Sequence, residues 1–176
     1  MTETPWIYTT DTSDRYRFLL GVKGKNMLGI IGANPSTAQP GKPDRTVAKM
    51  QKVALQHGYD GWVLCNLWPE RETHPDKLRK RMLREVHKKN LLHMQDAFRQ
   101  YPVNGIWAAW GNIIAKRPYL FRCLYDITAM KSCQDTPWLQ LGTPTIPGHP
   151  RHPLYQKDDA ALIAFDIKAY ATQHCR

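Results

Sequence analysis

Short apolar runs alternate along the chain with longer segments of mixed polarity. A run of five to seven residues that is apolar throughout, bounded by Gly, Pro or Asn, is typical of a buried β-strand. Residues 23–25 are turn residues and predict that the first two strands pair as a hairpin. The predicted strands, in chain order, are residues 16–22, 26–32, 61–67, 104–111 and 136–142.

The longer segments carry apolar residues at helical spacing. In the first of them, Asp44 is a candidate N-cap, and Val47, Met50 and Ala54 fall on one face before His57. The predicted helices are residues 44–57, 82–100, 117–130 and 158–175. Alternating strands and helices predict an α/β fold, a three-layer α/β/α sandwich with a mainly parallel central sheet. A chain of 176 residues suits one domain, 1–176.

Each predicted central strand ends in an unusual segment. The segments are Gly32-Ala33-Asn34-Pro35, Asn66-Leu67-Trp68-Pro69, Trp110-Gly111-Asn112 and "GTPTIPGHPRHPLY" from 142 to 155. Ligands of open α/β sheets bind beyond the carboxyl ends of the strands. We therefore expect these segments to converge on one pocket.

The charge of the chain indicates a polyanionic partner. It has 25 Lys and Arg against 15 Asp and Glu, a net charge of +10 and a pI of about 9.6. Such an excess favours nucleic acid, and DNA is the expected partner. The alternative is that the cations only solvate the surface, as the basic stretch "KLRKRMLREVHKK" would on one face of a helix.

Composition limits the class of protein and its expected location. The hydrophobic fraction is 42%, the mean hydropathy is -0.54, and no apolar run approaches the roughly 20 residues of a membrane span. The first residues lack the pattern of a secretory signal, which predicts a cytoplasmic protein. The four cysteines, at positions 65, 123, 133 and 175, form no C-x-x-C pair, so we expect neither disulfides nor a metal site. We expect no cofactor, and we expect the protein to be a monomer.

Five motifs resemble those of one known family. "NPSTA", "DRT", "NLWPERETHP", "AAWG" and "GHPRHPLY", in this order, are similar to an uncharacterised bacterial and phage family, domain of unknown function 1643. The likeness spans about residues 17 to 155. Members of that family usually have Asp-Pro-Thr where this chain has Asp44-Arg45-Thr46.

The same order of elements resembles, more distantly, the uracil-DNA glycosylase superfamily. The matching segments are Gly32-Ala33-Asn34-Pro35, Asn66, Trp110-Gly111 and His149-Pro150. This likeness implies a glycosylase fold and a monofunctional hydrolase that acts on N-glycosyl bonds of damaged, mismatched or modified bases in DNA repair. The late loop departs from the His-Pro-Ser-type sequence common in those enzymes, since it reads His-Pro-Arg-His-Pro.

Hydrolysis of an N-glycosyl bond requires specific side chains in the site. Its site must donate hydrogen bonds to a departing base and hold a water molecule near the sugar. Asn34 is a candidate to hold that water, Asp44 to accept its proton, and His149 to donate to the base. The candidate substrate-binding residues are Gly32, Ala33, Pro35, Ser36, Thr37, Asn66, Trp68, Trp110, Gly111, Arg151 and His152, and the candidate DNA-backbone contacts are Arg79, Lys80 and Lys157.

Each candidate also has a structural interpretation. Asn34 and Pro35 are ordinary turn residues, Asp44 is a good helix cap, and Trp110 suits a core position. Arg71 and Thr73 have no assigned role beyond holding the loop after Asn66.

Two other functions remain open. One is a nucleic-acid or nucleotide binding module that lacks catalysis, and the other is a small-molecule enzyme acting on a nucleoside or nucleotide. There is no G-x-x-x-x-G-K-[ST] and no G-x-G-x-x-G, so neither a P-loop nor a dinucleotide fingerprint is indicated.

Overall fold

The computed structural model describes residues 5–175. Within them, seven strands form one sheet in the order β1-β2-β4-β3-β5-β6-β7. The strands are β1 (Trp6–Thr10), β2 (Arg17–Val22), β3 (Met27–Gly32), β4 (Gly61–Asn66), β5 (Val103–Ala108), β6 (Trp138–Leu141) and β7 (Leu162–Ala164). The helices are α1 (Arg45–Gln56), α2 (Arg84–Gln100), α3 (Pro118–Thr128), α4 (Lys131–Gln134) and α5 (Ile167–His174).

The sheet is mixed, and the prediction of a mainly parallel sheet is wrong. Three of the six pairings between described strands, β1 with β2, β2 with β4 and β6 with β7, are antiparallel. The four central strands β4, β3, β5 and β6 are parallel to one another. The carboxyl ends of these four strands therefore lie at the same edge.

The predicted hairpin of β2 and β3 does not form, because β4 lies between the two strands. The connection at residues 23–26 crosses the start of β4 instead. Glycines permit this close passage: a Cβ on Gly24 would lie 2.6 Å from the backbone nitrogen of Gly61. The apolar pattern predicted both strands, but it did not predict that β4 lies between them.

The end of the chain also differs from the prediction of one long helix. Residues 162–164 pair with β6 as β7, and α5 begins only after Asp166, whose carboxylate accepts a hydrogen bond from the backbone of Ala169 at 2.9 Å. β1 was not predicted. The short helix α4 was not predicted either. Helices α1, α2 and α3 begin and end close to the predicted limits, and Asp44 does cap α1.

Buried side chains form two clusters, one associated with α1 and the other with the remaining helices. The α1 cluster joins Val47 and Met50 to Leu28, Ile30 and Leu64 of the sheet. The second cluster joins Met94 of α2, Leu120 of α3 and Tyr170 of α5 to the alternate strand residues, among them Ile31 and Cys65. Burial of each such side chain contributes about 1.5–3 kcal/mol. All four cysteines are free thiols.

An aromatic cluster packs around α5. The indole nitrogen of Trp110 donates to the Tyr170 hydroxyl at 3.2 Å, and that hydroxyl shares a hydrogen bond of 2.7 Å with Nδ1 of His149. The His149 ring also contacts the rings of Phe121 and His174. Trp110 is fully buried, and His149 and Tyr170 are each only 5% exposed. The Tyr170 hydroxyl thus satisfies two buried polar groups.

We expect Tyr170→Phe to lower the free energy of unfolding by about 1–3 kcal/mol, because it leaves the indole N–H and the imidazole nitrogen buried without a partner. Urea denaturation measures the change. Tyr125→Phe is the matched control, since Tyr125 is exposed and loses no buried hydrogen bond. Equal stability of the two variants would contradict a structural role for the Tyr170 hydroxyl.

Candidate functional site

A cleft of about 810 Å³ opens at the carboxyl ends of the parallel strands. We call it the strand-end cleft. It brings together ten of the residues selected from the sequence: Gly32, Ala33, Asn34, Pro35, Ser36, Thr37, Asp44, Asn66, Arg151 and His152. They come from the ends of β3 and β4, the start of α1 and the loop after β6. The volume lies in the range of small-molecule binding sites.

Asn66 ends β4 beside Gly32, its register partner on β3. The glycine makes room for the carboxamide, because a Cβ on Gly32 would lie 2.8 Å from Oδ1 of Asn66. Asn66 is only 2% exposed, and its Nδ2 has no hydrogen-bond partner in the structure. The cleft therefore contains a buried donor with nothing to bind.

Asn34 lies two residues after the end of the neighbouring strand β3, and its side chain is fixed in orientation. Its Nδ2 donates to the carbonyl oxygens of Glu72 at 2.8 Å and Pro35 at 3.1 Å. Both amide hydrogens face the protein, so Oδ1 is left to accept a hydrogen bond. This is the atom that the sequence selects for holding water.

The loop after β3 is fastened to residues 71–73. Nη1 of Arg71 donates to the carbonyl oxygens of Ser36 at 2.7 Å and Ala38 at 3.3 Å, and the hydroxyls of Ser36 and Thr73 are 3.1 Å apart. Nη2 of Arg71 also donates to the Tyr8 hydroxyl at 2.7 Å. Arg71 and Thr73 thereby join the loop after β4 to the loop after β3, whereas from the sequence they were expected only to hold the loop after Asn66.

His152 lines the cleft as a neutral donor. Its Nδ1 accepts a hydrogen bond from the backbone of Leu154 at 3.2 Å, which leaves the proton of the neutral ring on Nε2. Burial lowers the pKa of His152 below 6.5, although the nearby Asp44 carboxylate raises it in part. Gly111 lies against the backbone and Cβ of His152: its φ is +58°, and a Cβ there would lie 2.8 Å from Cβ of His152.

The structure separates seven other candidates from the cleft lining. His149 and Trp110 belong to the aromatic cluster around α5, and the buried Gly111 supports His152. Trp68 is fully buried and donates to Glu70, so it presents no face on which a base could stack. The three proposed backbone contacts are Arg79, which pairs with Glu70, and the exposed Lys80 and Lys157.

Sequence reasoning missed Arg17, which also lines the cleft and is 2% exposed. Burial, followed by the charge of Arg71, lowers its pKa to about 10, with Asp44 opposing both. The feature of the sequence that could have identified Arg17 is its position as an arginine inside the apolar run "YRFLLGV". Other lining residues that the sequence did not select are Arg45, Thr46, Glu72, Asp76, Asn112, Lys116 and Thr145.

The described residues contain no group of three or more His, Cys, Asp or Glu placed to hold a metal ion. No helix in the described part of the chain is both long enough and apolar enough to cross a membrane.

The fold and cleft define a mixed α/β protein with a polar site at the ends of parallel strands. The sequence profile of the family described as Protein of unknown function (DUF1643) matches residues 15–154, and the chain belongs to this family. No curated protein and no solved structure matches it. The comparisons thus give no support to the likeness to uracil-DNA glycosylases.

Stability should fall when the pH drops below about 6.5. Burial lowers the pKa of His93, His149 and His152, so the unfolded chain binds protons more readily than the folded chain. The stabilisation is complete above pH 6.5, the value of an unperturbed ring, and is lost as the pH falls toward the folded pKa values.

Urea midpoints measured between about pH 8 and pH 5 test this expectation. The carboxyl groups with lowered pKa, such as Asp60 and Asp158, titrate below 3.8 and do not contribute in that range. The urea midpoint of His152→Gln should fall less on acidification than that of the unchanged protein. A midpoint that stays constant or rises on acidification would contradict the assignment.

Proposed function

We propose that this protein binds a nucleotide unit of DNA in the strand-end cleft and hydrolyses its N-glycosidic bond. The observation that carries the proposal is the buried Nδ2 of Asn66, which has no hydrogen-bond partner among the described residues. Asn66 lines the same cleft as the oriented carboxamide of Asn34. A buried donor without a partner costs about 1–3 kcal/mol. A base with a carbonyl acceptor would remove that cost.

The chemistry assigns a role to each polar group of the cleft. Water attacks the sugar carbon, the bond to the base breaks, and the bonding electrons leave with the base. Asn34 Oδ1 holds the attacking water, and Asn66 Nδ2 and His152 Nε2 donate to the base as it gains negative charge. An amide does not accept the proton at neutral pH, so the Asp44 carboxylate takes the proton that the water loses.

This assignment moves the base-facing histidine from position 149 to position 152. His149 uses its Nδ1 for Tyr170 inside the aromatic cluster, whereas His152 lines the cleft. The finer fold, a three-layer sandwich of uracil-DNA glycosylase type, is part of the same proposal. Its support is the presence of two buried clusters, one with α1 and one with the other helices.

The net charge of +10 supports a DNA substrate rather than a free nucleoside. Arg45 and Arg151 line the cleft, and Lys80 and Lys157 are exposed. These side chains are the proposed contacts to phosphates on either side of the bound nucleotide.

Asn34→Ala and Asn66→Ala should each lower the rate of base release by about 10²–10³-fold, the usual effect of removing one group that stabilises a transition state. Formation of alkali-labile abasic sites, measured on DNA that carries uracil, mismatched thymine or modified bases, is the readout. Asn104→Ala is the matched control, because Asn104 is at the start of β5, at the opposite edge of the sheet. No base release from any of these substrates by the unchanged protein would contradict hydrolysis.

A binding module without catalysis is the second candidate, and one observation favours it. Each carboxylate in the cleft already has a partner within the chain: Asp44 caps α1, Glu72 accepts from the backbone of His74, and Asp76 pairs with Lys116 at 2.8 Å. A general base must accept a proton from water, and these contacts compete with that role.

DNA affinity, measured by fluorescence anisotropy, should fall steeply with salt if Lys and Arg displace counterions. The logarithm of the binding constant, plotted against the logarithm of the salt concentration, should have a slope of about -0.9 per phosphate contact on duplex DNA. In a binding module, Asn34→Ala should keep this affinity and every biological effect. In the proposed enzyme it should keep affinity but lose turnover. Weak binding that does not change with salt would favour a small-molecule enzyme instead.

A further inference from the structure

We propose that Arg17 is an anion-binding residue that receives the phosphate group of the nucleotide in the strand-end cleft. This inference rests on the proposed function in taking the ligand to be a nucleotide. Arg17 is the first residue of β2.

A β-bulge directs Arg17 toward the cleft. Thr9 pairs with Leu19 and Thr10 pairs with Arg17, so Phe18 is an extra residue in β2. In a regular strand, successive side chains point to opposite faces. Here Phe18 and Leu19 both belong to the second cluster, whereas Leu20 belongs to the α1 cluster. The extra residue therefore returns Arg17 to the face of α1.

The bulge has a functional consequence. Arg17 lines the cleft together with Val47, Met50 and Leu64, which are members of the α1 cluster. If the same residues formed a regular strand with no bulge, strict alternation from Leu20 would place Arg17 on the other face, away from the cleft. Bulges often re-aim a side chain next to an active site.

The guanidinium of Arg17 is poorly satisfied by the chain. Its Nη1 donates to the carbonyl oxygen of Ala38 at 3.1 Å, and its Nε is buried and has no hydrogen-bond partner in the described part of the chain. Among the described residues no carboxylate forms an ion pair with it, although Asp44 lies near enough to act on its charge. Arg71 differs, because it donates to four groups and pairs with Asp14.

A buried and unpaired charge is costly unless something compensates it. A neutral carbonyl would satisfy the free N–H but would leave the charge buried. An oxyanion satisfies both, and phosphate matches the planar fork of a guanidinium. The first turn of α1 lines the same cleft through Arg45 and Thr46, and the amino end of a helix favours negative charge.

Asp44, Glu72 and Asp76 are the opposing charges in the cleft, and Glu72 accepts a hydrogen bond from the backbone of His74 at 2.9 Å. Asp76 is neutralised by Lys116 at 2.8 Å, and Asp44 uses one oxygen for the backbone of Val47. The lining cations Arg17, Arg45, Lys116 and Arg151 exceed the lining carboxylates Asp44, Glu72 and Asp76 by one. A phosphate next to Arg17 is therefore compatible with the charge of the cleft.

Thermal unfolding in inorganic phosphate, compared with chloride and acetate at matched ionic strength, tests the inference. Phosphate should raise the melting temperature of the unchanged protein and of Arg99→Gln, a control that removes an exposed arginine in the last turn of α2. It should not raise that of Arg17→Met. In chloride, Arg17→Met should melt at the same or a higher temperature, because it removes an unpaired buried charge.

Arg17→Lys covers the case in which Arg17→Met does not fold. It keeps the charge but loses the fork, so its phosphate shift should be smaller than that of the unchanged protein. An unchanged phosphate shift in Arg17→Lys or Arg17→Met would overturn the inference. An equal shift in acetate and phosphate would overturn the assignment to phosphate.

A second titration separates this inference from the proposed function. Calorimetry should show that thymidine 5′-monophosphate binds at least about tenfold more tightly than thymidine, and Arg17→Met should remove most of that difference. If the protein releases bases but binds both ligands with equal affinity, the phosphate site alone is contradicted. If it binds thymidine 5′-monophosphate more tightly but releases no base from any DNA, the phosphate site is supported and hydrolysis is contradicted.

Discussion

Two buried donors that the protein does not satisfy define the strand-end cleft. Nδ2 of Asn66 and Nε of Arg17 are both enclosed, both belong to residues lining the cleft, and neither has a partner within residues 5–175. Folded proteins pair more than nine in ten of their buried polar groups. In the proposed function, a ligand rich in oxygen supplies the acceptors that these two donors lack.

The fold keeps this arrangement rigid by ordinary means. Parallel pairing of β3 and β4 places the ends of both strands side by side, and the missing side chain of Gly32 leaves space for the amide of Asn66. Arg71 then fastens the loop after β3 to the loop after β4. The aromatic cluster around α5 lies apart from the cleft lining, which explains why His149 and Trp110 have structural contacts.

Much of this arrangement could be predicted from the sequence. Helical spacing and capping located α1, apolar runs located β3 and β4, and polar residues after those strands located the cleft. The rest depended on contacts that no local pattern encodes. The close passage of Gly24 over Gly61 separates β2 from β3, and pairing with β6 converts residues 162–164 to a strand. One extra residue in β2 decides which face Arg17 occupies, and only the three-dimensional packing distinguishes His149 from His152.

Nuclear magnetic resonance tests the central claim most directly, because the side-chain N–H signals of asparagine and arginine report their own hydrogen bonds. On titration with thymidine 5′-monophosphate, the account predicts large shifts for the Nδ2 hydrogens of Asn66 and the Nε hydrogen of Arg17. The Nδ2 signal of Asn104, at the opposite edge of the sheet, should stay in place. Saturating nucleotide that leaves the Asn66 and Arg17 signals unmoved, or shifts only signals outside the cleft, would contradict it.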